Sequence, residues 1–192
     1  MSGHGFHVHG PHDHEIEHAA KHGGKDSFAG MVAVMTAVLA TIGATFSYMG
    51  GATQANAVLY KNNAAIKKTE ASNQWNFYQA KSSKQNLAEL AVAIVAEDRK
   101  ATYQKEVERY KTEKNEIKVV ADKLEAEYKD WDRQSDAQIH LHHRWAQATT
   151  ALQISIALAA IALLTKRDWL KWGMFGVASI GMALGVAAVL HL

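Results

Sequence analysis

The chain has 192 residues, 48% of them apolar and 21% charged, with one proline, no cysteine and a formal net charge of +2. That is length for one domain. Without cysteine there is no disulfide scaffold, thiolate zinc site or cysteine nucleophile, and so small a net charge gives no case for nucleic acid as a partner. The charge is unevenly spread: residues 61–144 hold 16 Lys+Arg and 14 Asp+Glu, which is 30 of the chain's 40 formal charges. Such segregation separates a solvated middle from apolar flanks.

Residues 1–26 read as a histidine-rich flexible tail. Seven of the eleven histidines lie there: His4, His7, His9, His12, His14, His18 and His22. His7/His9 and His12/His14 form His-x-His pairs, and His14, His18 and His22 would share one face of a helix. Either arrangement can gather imidazoles around Zn, Ni or Cu. If Met1 is removed, the new terminus Ser2-Gly3-His4 offers an amine, two amides and an imidazole, the square-planar set that Cu(II) or Ni(II) prefers. The competing reading is a tail that retains metal on a column and not in the cell. His140, His142 and His143 form a second cluster, better suited to headgroup contact than to metal binding.

Three apolar stretches follow, at residues 27–49, 145–165 and 170–190. Each has near the roughly 20 residues needed to cross about 30 Å of hydrocarbon as a helix. The first is too long for the apolar region of a secretory signal, and its upstream flank is histidine rather than a compact basic region. Tyr48, Trp145, Trp169 and Trp172 stand at the ends, where amphipathic rings settle at the headgroup level. The connection 166–171 carries Lys166, Arg167 and Lys171, so the positive-inside rule puts it and the amino terminus in the cytoplasm, and the central segment on the other side. No Asp, Glu, Lys, Arg or His lies within residues 27–49, 145–165 or 172–190, which argues against a transporter. A pore would have only Thr36, Thr41, Thr45 and Ser47 for its lumen. Small residues are frequent instead. Gly181 and Gly185 make a GxxxG, and Ala33/Ala37, Ala40/Ala44 and Gly43/Ser47 make similar pairs, spacings that let helix backbones approach closely.

Residues 50–144 contain no proline and, after Gly51, no glycine, so little interrupts helix. In the second half Tyr103, Tyr110, Ile117, Leu124, Trp131, Gln138 and Trp145 recur every seven residues. Val107, Lys114, Ala121, Tyr128, Ser135 and His142 lie four positions after the first six, forming a heptad seam with charged flanks. In the first half the sevenfold series is Leu59, Ile66, Asn73, Ala80, Leu87 and Ile94, with Asn62, Thr69, Asn76, Ser83 and Leu90 three positions later. Asparagine on such a seam fixes register and partner number; the alternative is that these asparagines face water. A segment tethered at both ends to one bilayer face is expected to form an antiparallel helical hairpin. Its turn is expected between about 82 and 100, with the polar run 81–86 as the local breaker and residue 96 as the midpoint. A turn near 96 would leave the nearly uncharged residues 87–96 as a patch needing a cover, either a second copy or a partner.

Residues 73–82, Asn-Gln-Trp-Asn-Phe-Tyr-Gln-Ala-Lys-Ser, resemble the most recognisable segment of a bacterial membrane family, domain of unknown function 4337. The layout is similar across essentially the whole chain after the tail: one span, a long charged helical region and two closely spaced spans. This resemblance implies a bacterial inner-membrane protein, with the central hairpin then periplasmic, and brings no reaction, substrate or catalytic residue. Trp75, Phe77 and Tyr78, set among Asn73 and Asn76, would suit a helix contact that needs both packing and hydrogen bonds.

The expected fold is therefore an all-α membrane protein: three transmembrane helices with a long antiparallel coiled-coil-like hairpin between the first and second. No nucleophile-base pair, phosphate loop, HExxH or paired-carboxylate motif is present, so a non-enzymatic role is expected. That role is structural: self-association, or service as an accessory subunit of a larger membrane complex, with the lipid bilayer and other copies as partners. Binding or sensing of a divalent metal through the histidine tail is the alternative. Candidate helix contacts are Gly181, Gly185, Asn73, Trp75, Asn76 and Phe77.

Overall fold

The computed structural model describes residues 27–190. They form three helices: α1 (Ser27–Ile94), α2 (Glu97–Thr165) and α3 (Asp168–Val189). All three contain stretches long and apolar enough to cross a membrane, by length and composition. No proline lies within the three helices, which favours uninterrupted lengths, and α1 continues as helix through Gly50-Gly51. The polar run 81–86 is helical, and the break falls at Val95 and Ala96. Val95 still donates to the Ala91 carbonyl at 3.0 Å, and Arg99 starts the next helix on the Ala96 carbonyl at 3.0 Å. Glu97 and Asp98 occupy the first turn of α2, where carboxylates meet the positive end of the helix dipole.

The α2–α3 connection is two residues long. Lys166 adopts a left-handed conformation (φ 51°) and donates its backbone N–H to the Ala162 carbonyl at 2.9 Å. This is the position at which a helix end usually places glycine. Arg167 is the N-cap of α3, in extended conformation.

The described residues divide into two compact units, one of residues 27–50 and 143–190, the other of residues 51–142. In the first, α1, α2 and α3 pack around Val32, Ala159 and Met174 at one level and Leu39, Leu152 and Ala178 at another. Leu152, Met174, Val32 and Ser155 are its largest fully buried side chains. The Ser155 hydroxyl donates to the Met174 carbonyl at 2.8 Å, tying α2 to α3. Thr36, Thr41 and Thr45 each donate to the carbonyl four residues earlier on α1, at 2.8, 3.0 and 3.1 Å. Their hydroxyls are thus satisfied within the helix.

In the second unit, α1 and α2 lie side by side. The α2 seam is as expected: every position from Tyr103 through Ser135 on its two sevenfold series is buried or half-buried. The α1 seam is not. Leu59, Ile66, Leu87, Leu90 and Ile94 are 54%, 55%, 66%, 57% and 74% exposed. The residues facing α2 are Ala57, Ala64, Ala71, Tyr78, Gln85 and Val92, with Thr53, Tyr60, Lys67, Lys81 and Ala88 on the companion series. The expected register is off by two residues, or about 200° around the helix at 3.6 residues per turn. Its physical reason is size matching. Alanines on α1 sit against the aromatics of α2, and Ala57 lets the backbones approach closely enough for the Ser135 hydroxyl to reach its carbonyl at 2.8 Å.

Candidate helix-contact site

In the 51–142 unit the polar side chains at the seam edges join α1 to α2. Lys61 pairs with Asp132 at 2.6 Å and reaches Asp136 at 4.0 Å. Lys67 bridges Glu70 on its own helix at 3.1 Å and Glu127 on α2 at 3.2 Å. The Trp75 indole N–H donates to Glu125 Oε1 at 2.8 Å. Lys81 pairs with Glu113, and its ammonium lies 5.6 Å from the Tyr110 ring centroid. Aromatic contacts run between the same helices, with Tyr60 and Trp131 at 5.5 Å and the Lys114 ammonium 5.4 Å from the Tyr78 ring. Along these pairs the α2 residue number falls from 135 to 113 as the α1 number rises from 57 to 81.

Three of the groups in these contacts, Lys61, Lys67 and Glu113, have shifted titration. The hydrogen bond from Lys81 holds the Glu113 carboxyl below the usual carboxylate range, with the charges of Lys81, Arg109 and Lys84 acting the same way. Lys61 is raised chiefly by its hydrogen bond with Asp132, and Lys67 by those with Glu70 and then Glu127. All are exposed enough for salt to screen them.

Of the four contact candidates in the 73–77 run, only Trp75 reaches α2 by a hydrogen bond. Asn73, Asn76 and Phe77 are exposed. Asn76 stands at the rim of an open groove shared by Trp75, Gln79, Tyr128 and Lys129. Adjacent helical residues point about 100° apart, so the run cannot present all four to one neighbour.

Gly181 and Gly185 are both buried on α3. A Cβ at Gly181 would lie 2.9 Å from Leu152 Cδ2 and 3.2 Å from the Ala148 carbonyl oxygen. At Gly185 it would enter the ring of Phe46, which itself packs on Trp145 with centroids 5.2 Å apart. The small-residue pairs of α1 are placed differently: Gly43 is buried against Leu152, whereas Ala33, Ala37, Ala40, Ala44 and Ser47 are exposed.

His4, His7, His9, His12, His14, His18 and His22 lie outside the described residues. Among the described residues no group of three or more His, Asp or Glu is placed to hold a metal ion.

Helices joined along matched seams, with three apolar stretches of spanning length, define an all-helical protein whose organised chemistry is helix-to-helix contact. The chain belongs to the family Domain of unknown function (DUF4337), whose model matches residues 28–191. No curated protein and no solved structure matches it.

Proposed function

We propose that this is a non-enzymatic membrane protein that assembles with further copies of itself, or serves as an accessory subunit of a membrane complex. The three apolar stretches cross one bilayer, and residues 51–142 form an antiparallel helical hairpin on one face of it. The observation that carries this reading is the use of the polar chemistry. The contacts of Lys61, Lys67, Trp75, Lys81 and Ser135 all join α1 to α2, in the falling order of partner number that an antiparallel pair requires. The three basic residues of the 166–171 connection set the orientation, with the amino terminus cytoplasmic and the hairpin outside, which in a bacterium means an inner-membrane protein with a periplasmic hairpin. Gly181 and Gly185 serve as close-approach positions for α3, and Trp75 as the polar anchor of the hairpin. The native mass of the full chain released in detergent tests this reading. A defined multiple of the chain mass supports self-association, and a single-chain mass with no co-purifying subunit refutes both forms of assembly.

The concentration of histidine in the first 22 residues favours a second reading, in which the tail binds or senses Cu, Ni or Zn. Titration of the full chain and of a form lacking residues 1–25 with each metal separates the two. Metal binding lost with the tail supports it, and equal weak binding by both forms refutes it.

A further inference from the structure

α1 carries two heptad seams on opposite faces, and α2 occupies one of them. The other contains the larger apolar residues, Leu59, Ile66, Leu87, Leu90 and Ile94, all exposed, with Asn73 and Asn76 at its middle. We propose that this outward face of α1 is the docking surface for the same face of a second copy, the two α1 helices running parallel and in register. The inference rests on the self-association reading and names its surface.

Three observations select a second copy as the occupant. First, a parallel in-register pair sets every seam residue against itself, so a single charge there would oppose its own copy; no position on this seam is charged. Second, the flanks are compatible with the same pairing. A residue beside the seam faces the one five positions on in the other copy, which brings Gln79 to Lys84 and Ala65 to Glu70, with no like charges opposed. Third, the alternative surface of a second copy is unsuitable, because the outward side of α2 presents exposed Lys105, Glu108, Lys118 and Arg133, whose charges would lose water against an apolar stripe. Orientation follows from the membrane, since copies inserted in one bilayer direct their α1 helices the same way. Asn73 then meets its counterpart side chain to side chain, and an amide pair of this kind holds register and limits the assembly to two strands.

The absence of native cysteine makes the test direct. Asn73→Cys and Ala80→Cys lie on the proposed seam, and Ala126→Cys and Ala137→Cys are exposed positions on α2. None of these substitutions disturbs a residue packed within the single chain. Each full-length variant is oxidised mildly in its native membrane and sized without reductant, beside the native mass of the unmodified chain. The proposal expects Asn73→Cys and Ala80→Cys to shift to twice the chain mass, with the α2 variants remaining single. Failure of both seam variants to cross-link overturns it. A multimeric native mass in that case means that self-association stands and uses another face; a single-chain mass removes both. Cross-linking of Asn73→Cys to a chain of different mass also overturns it, because the occupant is then another protein.

Discussion

Replacing Gly185 by alanine should destabilise the packing of α3, and the structure allows the size of the effect to be isolated. The added methyl would enter the ring of Phe46, and that ring is confined by Trp145 at 5.2 Å, so it has little freedom to withdraw. Overpacking of this kind costs about 1–3 kcal/mol, whereas glycine to alanine within a helix contributes up to ~1 kcal/mol in the other direction. Gly176 provides the comparison: it lies on the same helix, and nothing stands within 4 Å of a Cβ built there. Gly176→Ala receives the propensity gain alone. The difference between the two variants therefore cancels propensity and leaves a steric loss of about 1–3 kcal/mol at Gly185. Equilibrium unfolding of the full chain in detergent micelles measures it. A double-mutant cycle with Phe46→Leu adds a second reading, since a smaller side chain opposite should recover a substantial part of the loss, with coupling of about 0.5–3 kcal/mol. If Gly185→Ala and Gly176→Ala change stability equally, or if Phe46→Leu brings no recovery, the close approach of α3 to α1 is not as described.

Trp75→Phe keeps an aromatic ring but removes the N–H donated to Glu125, and should lower the unfolding free energy of the 51–142 unit by about 1 kcal/mol; Phe77→Ala, at an exposed site, should change it by less than about 0.5 kcal/mol. Lys166→Gly relieves a left-handed lysine at the α2 terminus and should stabilise the chain by about 1 kcal/mol, read as a raised unfolding midpoint. The interhelical ion pairs predict stability that is level at neutral pH and falls at both extremes. Glu113, with its lowered pKa, contributes above the ordinary carboxylate range and loses that contribution as pH drops through its depressed value. Lys61 and Lys67, with raised pKa, contribute below the ordinary lysine value and lose it as pH rises through their elevated ones. Glu113→Gln should flatten the acid side of the profile, most visibly at low salt.

How much of this is legible in the sequence depends on residue size. The α2 seam can be read directly because Tyr103, Tyr110, Leu124 and Trp131 are large, periodic and flanked by charge. Its counterpart on α1 cannot, because its most buried members are small, among them Ala57, Ala64, Ala71 and Ala88, while Leu59, Ile66, Leu87 and Ile94 advertise the opposite face. A periodicity search finds the more hydrophobic stripe, and here that stripe is not the one in contact within the chain. The turn at Val95 and Ala96 has no glycine or proline to mark it, only the acidic pair that opens α2. The hydrogen bond from Trp75 to Glu125 joins residues fifty apart in sequence, so it follows from register alone. Gly181 and Gly185 are visible as a spacing, but their neighbours, Leu152 and Phe46, come from other helices and need the packed structure.

The proposed hairpin requires both ends of residues 51–142 to meet the same side of one membrane. Single cysteines at Ala65, Ala137 and Arg167, all exposed positions, can be treated in spheroplasts with a membrane-impermeant maleimide. Ala65→Cys and Ala137→Cys should both label from outside, and Arg167→Cys only after the membrane is opened. Labelling of positions 65 and 137 from opposite sides would contradict the account.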